Sequence, residues 1–144
     1  AVELLRRNLG AFAAGRPGGE RAAPVAAQLD WLDREHGLGL FDVVLGSEVV
    51  HERGMGALLL GAIDSVLAPD GVALLTSPCA RSRFGVQEFQ AYLAESEKWQ
   101  ADIKVAEGEL VDGLDAQELV YEVWRIRRRG AAGPPTPRST LLGS

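Results

Sequence analysis

The residues of this chain best suited to chemistry gather in a few short stretches. Asp30 and Trp31 stand side by side. A flat indole can cover the face of a purine, and the same ring can equally cap a sheet as ordinary core. Gly46, Ser47 and Glu48 follow one another, with His51 three residues further on. A small residue lets a ligand approach the backbone closely, a carboxylate can hold an amine, and an imidazole can accept a proton near neutral pH. The plainer readings are a strand-ending turn, a solvated carboxylate and a loop histidine. Cys79 has no adjacent base, which is the pattern of an inert thiol rather than a nucleophile. Ser77 lacks the glycine-bracketed elbow of a hydrolase. With two histidines (His36 and His51) and one cysteine in the chain, no zinc cluster can be assembled, so no metal is expected. Arg81 and Arg83 could face an acidic surface or merely be solvated at a helix entry, and residues 125–129 read as solubilising charge that protects a strand edge.

These residues need elements to place them. Leu40 to Leu45 is short, β-branched and nearly all apolar, which predicts a parallel strand covered on both faces. Gly46 and Ser47 close it. Met55, Leu58, Leu59, Ala62, Ile63, Val66 and Leu67 trace one face of a helix. Pro69-Asp70-Gly71 predicts a turn, and Val72 to Thr76 the next buried strand. Val86, Phe89, Tyr92 and Leu93 predict a second helix ending near Lys98-Trp99. Ile103 and Val105 mark a strand, residues 117–127 a longer one, and the gap between them is too short for a helix, so the two should be antiparallel. Upstream, Val2, Leu5, Leu9 and Phe12 fall at helical spacing over residues 1–14, residues 24–29 form a weak strand candidate, and residues 33–39 form a polar loop. Residues 129–144 read as a Pro/Gly-rich disordered tail after a domain over 1–128. Alternating strands and helices imply an α/β fold, with a mainly parallel sheet finished by an antiparallel pair. Such sheets bind ligands at the carboxyl ends of their strands, so the residues after Leu29, Leu45 and Thr76 are where a site belongs.

Composition narrows the function. The 144 residues carry a formal charge of -5, which argues against nucleic acid as a partner because phosphate neutralisation needs a basic face. A weakly acidic protein is compatible with a basic protein partner. No apolar run approaches the roughly 18 residues of a membrane span. A single cysteine permits no internal disulfide and fits a reducing, cytoplasmic or nuclear compartment.

Leu29-Asp30-Trp31, Phe41-Asp42-Val43-Val44-Leu45-Gly46-Ser47-Glu48-Val49-Val50-His51 and Leu67-Ala68-Pro69-Asp70-Gly71 together resemble the seven-strand, class I S-adenosylmethionine-dependent protein-lysine methyltransferases. That group includes the calmodulin-lysine and elongation-factor-lysine enzymes. The resemblance implies a Rossmann-like methyltransferase fold, S-adenosylmethionine as cofactor, and a protein lysine side chain as substrate. It implies that Trp31 stacks on adenine with Asp30 fixing its orientation, that Gly46 and Ser47 approach the methionine part of the cofactor, and that Glu48 and His51 face the substrate. Two positions depart from the family pattern, which has Asp where Glu48 stands and Tyr where His51 stands. Glu48 keeps the charge on an arm one methylene longer, and His51 keeps a ring but loses the phenol hydroxyl. The opening Glu3-Leu4-Leu5-Arg6-Arg7-Asn8 resembles the helix after the family's second strand. The family's glycine-rich loop and ribose-binding acid are therefore expected outside this chain. On that expectation the isolated 144 residues are weakly stable and bind little cofactor. Two other functions fit the same residues: a non-catalytic, methyltransferase-like interaction module, and a methyltransferase of a small molecule.

Overall fold

A computed structural model describes residues 3, 7, 24–33, 35–78, 84–106 and 120–131. Its order is β1 (Phe41–Ser47), α1 (Met55–Val66), β2 (Leu67–Pro78), α2 (Phe84–Glu95), β3 (Trp99–Val105) and β4 (Tyr121–Arg128). The four strands form one mixed sheet in the order β1-β2-β4-β3. β1 and β2 are parallel, while β4 runs antiparallel to both of its neighbours. The expected antiparallel finish is present. The sheet among the described residues is mixed rather than mainly parallel, because β4 inserts between β2 and β3 and makes two antiparallel pairings to one parallel.

Both helices pack on one face. α1 buries Leu59, Leu60, Ala62, Ile63 and Val66 at the spacing of one helical stripe. Leu58, expected on that stripe, is exposed. α2 buries Val86, Phe89 and Leu93, and leaves Tyr92 half exposed at 50%. Strand alternation supplies the opposing wall: Ala73 and Leu75 from β2, Trp124 and Ile126 from β4. Phe89 stacks on Trp124 with ring centroids 5.3 Å apart. Such a pair contributes about 0.5–1.5 kcal/mol beyond its burial. Gly56 makes the helices' approach possible, since a Cβ there would sit 2.6 Å from the Phe89 ring.

Several sequence expectations are corrected. β1 is not covered on both faces: it is an edge strand among the described residues, with Phe41, Val43 and Leu45 exposed. Residues 24–29 are not a strand, since no strand among the described residues offers them a ladder. Pro69-Asp70-Gly71 does not separate helix from strand but lies inside β2. Phe41 pairs Leu67 and Val43 pairs Val72, so two steps along β1 match five along β2. The turn-forming residues are thus used in a bulge of three extra residues. Gly71 is buried there, and a Cβ would meet Leu67 Cδ1 at 2.8 Å. α2 stops at Glu95 rather than near Trp99, because the Ser96 hydroxyl accepts from the amides of Lys98 (3.3 Å) and Trp99 (3.1 Å) and turns the chain into β3.

The basic stretch at 125–129 is not simply a solvated edge. Arg128 reaches across to the end of α1, where its guanidinium donates to Asp64 Oδ1 (2.9 Å) and to the carbonyls of Asp64 (3.1 Å), Leu67 (3.1 Å) and Ala68 (2.7 Å). It lies 5.4 Å from the centroid of Trp99, its register partner. Arg129 donates to the Ser96 carbonyl at 2.9 Å. Among residues 1–14 only Glu3 and Arg7 are described, both helical and exposed. The rest of that predicted helix, residues 117–119 of the predicted last strand, and residues 132–144 of the predicted tail lie outside the described residues.

Candidate functional site

The parallel strands β1 and β2 end side by side, with Ser47 in register with Thr76. The Thr76 hydroxyl donates to Ser47 Oγ at 2.9 Å. The chain then leaves β1 through Glu48, whose amide donates to the Thr76 carbonyl at 2.8 Å. Glu48 has φ 50°, the only positive φ of a non-glycine residue among those described. A side chain in this left-handed region costs on the order of 1–2 kcal/mol and persists only where the surroundings fix it. One fixing contact comes from β4, where the Tyr121 hydroxyl donates to Glu48 Oε1 at 3.1 Å. Tyr121 is held in turn, since the Ala106 amide donates to its carbonyl at 2.8 Å. β4 runs opposite to β2, so its first residue lands at the carboxyl end of the parallel strands.

Beside this polar edge lies an apolar groove of about 150 Å³, walled by Trp31, Gly46 and Val49 on the sheet side and by Leu59 and Ile63 of α1. Trp31 is half-buried and packs against the core. Asp30 does not line the groove. Its carboxylate accepts from the Leu32 amide at 2.9 Å and its carbonyl from the Asp33 amide at 3.1 Å, closing a tight turn around Trp31. Asp30 therefore sets the indole's position through the backbone. A Cβ on Gly46 would sit 2.8 Å from Leu75 Cδ2, so this glycine makes room for core packing as well as bordering the groove.

The structure thus brings Trp31 and Gly46 to one groove on the α1 face, while Ser47 and Glu48 belong to the polar edge that follows, where Ser47 and Thr76 alternate to the other face of the sheet. His51 lies exposed on the connection between β1 and α1 and does not line the groove. His36 has a structural part: its Nδ1 accepts from the Leu38 amide (3.1 Å), leaving Nε2–H to donate to Ser65 Oγ (3.0 Å), which pins the 33–39 loop to α1. Cys79, Arg81 and Arg83 lie outside the described residues. No group of three or more His, Cys, Asp or Glu side chains converges on a metal position among the described residues. No described helix is long and apolar enough to cross a membrane.

Sequence reasoning missed two members of this edge, Tyr121 and Thr76. The signal was available: a strand antiparallel to a parallel pair must start where the others end. Ser77, next to Thr76, points the opposite way, is buried, and its Oγ finds no hydrogen-bond partner among the described residues. Comparison with known proteins adds no assignment, since no protein-family model and no curated protein matches this chain.

Proposed function

We propose that this chain carries the substrate-facing half of a class I, Rossmann-like methyltransferase that transfers a methyl group from S-adenosylmethionine to a protein lysine side chain. The observation that carries the reading is Glu48: a carboxylate on a left-handed residue at the carboxyl edge of a parallel pair, held by Tyr121 beside a groove that Trp31 walls. Strained side chains collect at functional sites, and open α/β sheets place their ligands at this edge.

The groove's volume of about 150 Å³ suits one flat ring system. It is about half of the ~300 Å³ at the lower end of ligand pockets. The described residues therefore fit the adenine end of the cofactor and not its whole length. Trp31 would hold the ring, Asp30 would keep Trp31 in place, and Gly46 and Ser47 would border the remainder. When bound, S-adenosylmethionine supplies an electrophilic methyl group on a sulfonium. Glu48 has the other half of the task. It orients the lysine amine for direct displacement, and alignment of this kind is worth orders of magnitude in rate. The proton that the amine must lose leaves to solvent; His51, exposed and outside the groove, is not assigned it.

Incubation of the full-length protein with isotopically labelled S-adenosylmethionine and lysine-containing protein substrates tests the reading. Label is expected on lysine, and Glu48→Ala is expected to lower its rate about a hundredfold. Transfer by that variant at the wild-type rate, or no transfer at all, rejects the assignment. A second reading, a non-catalytic interaction module, is favoured by the apolar edge of β1, where Val43 is 48% and Leu45 74% exposed. Such a module would bind its partner equally well with Glu48→Ala and transfer no label.

A further inference from the structure

We propose that Tyr121 is a positioning residue of this site, fixing the Glu48 carboxylate toward an incoming primary amine. This rests on the reading of Glu48 as the amine-orienting group. β4 lies two strands away from β1, with β2 between them. Two strand spacings are about 9–10 Å, and the gap is closed by two long side chains meeting at 3.1 Å. Aspartate at 48 draws the carboxylate back by one methylene from its place against the hydroxyl, and phenylalanine at 121 removes the donor.

The bond also acts where the backbone is least able to help. Glu48 sits at φ 50° at the point where the ladder between β1 and β2 ends. Its amide is fixed by Thr76, but the carboxylate stands at the end of a flexible arm. A hydroxyl–carboxylate bond is charge-assisted and directional. Tyr121 can anchor it because its own backbone is fixed by the bond from Ala106 at 2.8 Å. The result is a tie across the carboxyl ends of β1, β2 and β4 that sets the acidic group's orientation before substrate arrives. Both side chains are only partly buried, so the carboxylate remains within reach of a substrate arm.

The test is a double-mutant cycle in the full-length protein with Tyr121→Phe, Glu48→Asp and the pair. Two readouts are taken: kcat/KM for methyl transfer, and binding of Nα-acetyl-lysine methylamide followed by NMR. Each single variant is expected to lower kcat/KM by about ten- to hundredfold, the worth of a hydrogen bond to a charged group. The KM for S-adenosylmethionine should be unchanged. The double variant is expected to be no worse than the poorer single one, because both break the same contact. A merely structural tyrosine would lower the urea midpoint without this saturation. Losses that multiply, or a Tyr121→Phe enzyme equal to wild type, overturn the proposal. If no methyl transfer is found, the lysine probe decides alone. Weakening by the same factor in both single variants sustains Tyr121 as a positioning residue while the methyltransferase reading falls. Equal affinities throughout, or no binding of the probe to wild type, overturn it.

Discussion

The two ends of the sheet are built on opposite plans. At the end where α1 meets β2, Arg128 places its charge against the helix C-terminus, binds three backbone carbonyls and Asp64, and lies over Trp99. Lys98 binds the other oxygen of Asp64 at 2.6 Å. Several polar groups there are satisfied by one planar guanidinium, and the positive charge complements the helix dipole. At the carboxyl end a strained Glu48 is tied by side-chain and backbone bonds to neighbouring strands, and Ser77 buries a hydroxyl that has no hydrogen-bond partner among the described residues. One end spends its polar residues on closure. The other holds a carboxylate in a costly conformation, the pattern expected where a group is kept for use rather than stability.

Breaking the closed end should therefore cost the most. Arg128→Ala removes the carbonyl bonds and leaves Asp64 with Lys98 alone, and we expect a loss of about 2–3 kcal/mol in urea unfolding. A loss within 0.5 kcal/mol, the range of an ordinary surface change, would erase the contrast between the ends.

Acid sharpens the same contrast. Burial pushes the Asp64 carboxyl upward and is the largest single influence on it. Hydrogen bonds from Lys98 and Arg128 and their charges together outweigh burial and hold it below the ordinary 3.8. A carboxyl depressed in the folded state stabilises above its unfolded value, and that contribution is lost as pH falls below about 4 toward the folded value. Wild-type stability should thus fall more steeply than that of Asp64→Asn below pH ~4. Parallel curves for the two proteins would remove Asp64 from the account.

At the strained end the sign reverses. Glycine tolerates a positive φ and alanine does not, so Glu48→Gly should be about 1 kcal/mol more stable than Glu48→Ala, although both lose the carboxylate. Equal stabilities would mean that the turn after Ser47 relaxes without strain. Ser77→Ala, which deletes the buried hydroxyl, should be neutral or stabilising by up to about 1 kcal/mol in thermal unfolding. A marked loss would reveal that the hydroxyl is satisfied after all.

The sequence carried the helices and strands well because their patterns are local. The stripe through Leu59, Ile63 and Val66 and the alternation around Trp124 follow from periodicity alone. What it carried poorly depends on distant neighbours. The apolar run at 40–45 looked like a strand covered on both faces, yet apolar composition records what a residue tolerates, not what lies beside it. Pro69-Asp70-Gly71 has turn chemistry, and only the register with β1 turns it into a bulge. In the candidate site, Gly46, Ser47 and Glu48 were legible as strand-end residues, whereas Trp31 reaches the groove from a turn and not from the end of a strand. Tyr121 was not, because its relevance comes from a contact 73 residues away in sequence.

The strand order has a consequence for the timing of folding. β4 is the last of the described strands yet sits between β2 and β3, and it supplies Trp124 and Ile126, two of the most buried side chains. Until residues 121–128 have left the ribosome, β2 and β3 have no common neighbour and Phe89 has no ring to stack on. Contacts of such long sequence separation close slowly. A nascent chain halted before Tyr121 would thus be a collapsed precursor with exposed apolar strands, dependent on chaperones until β4 arrives.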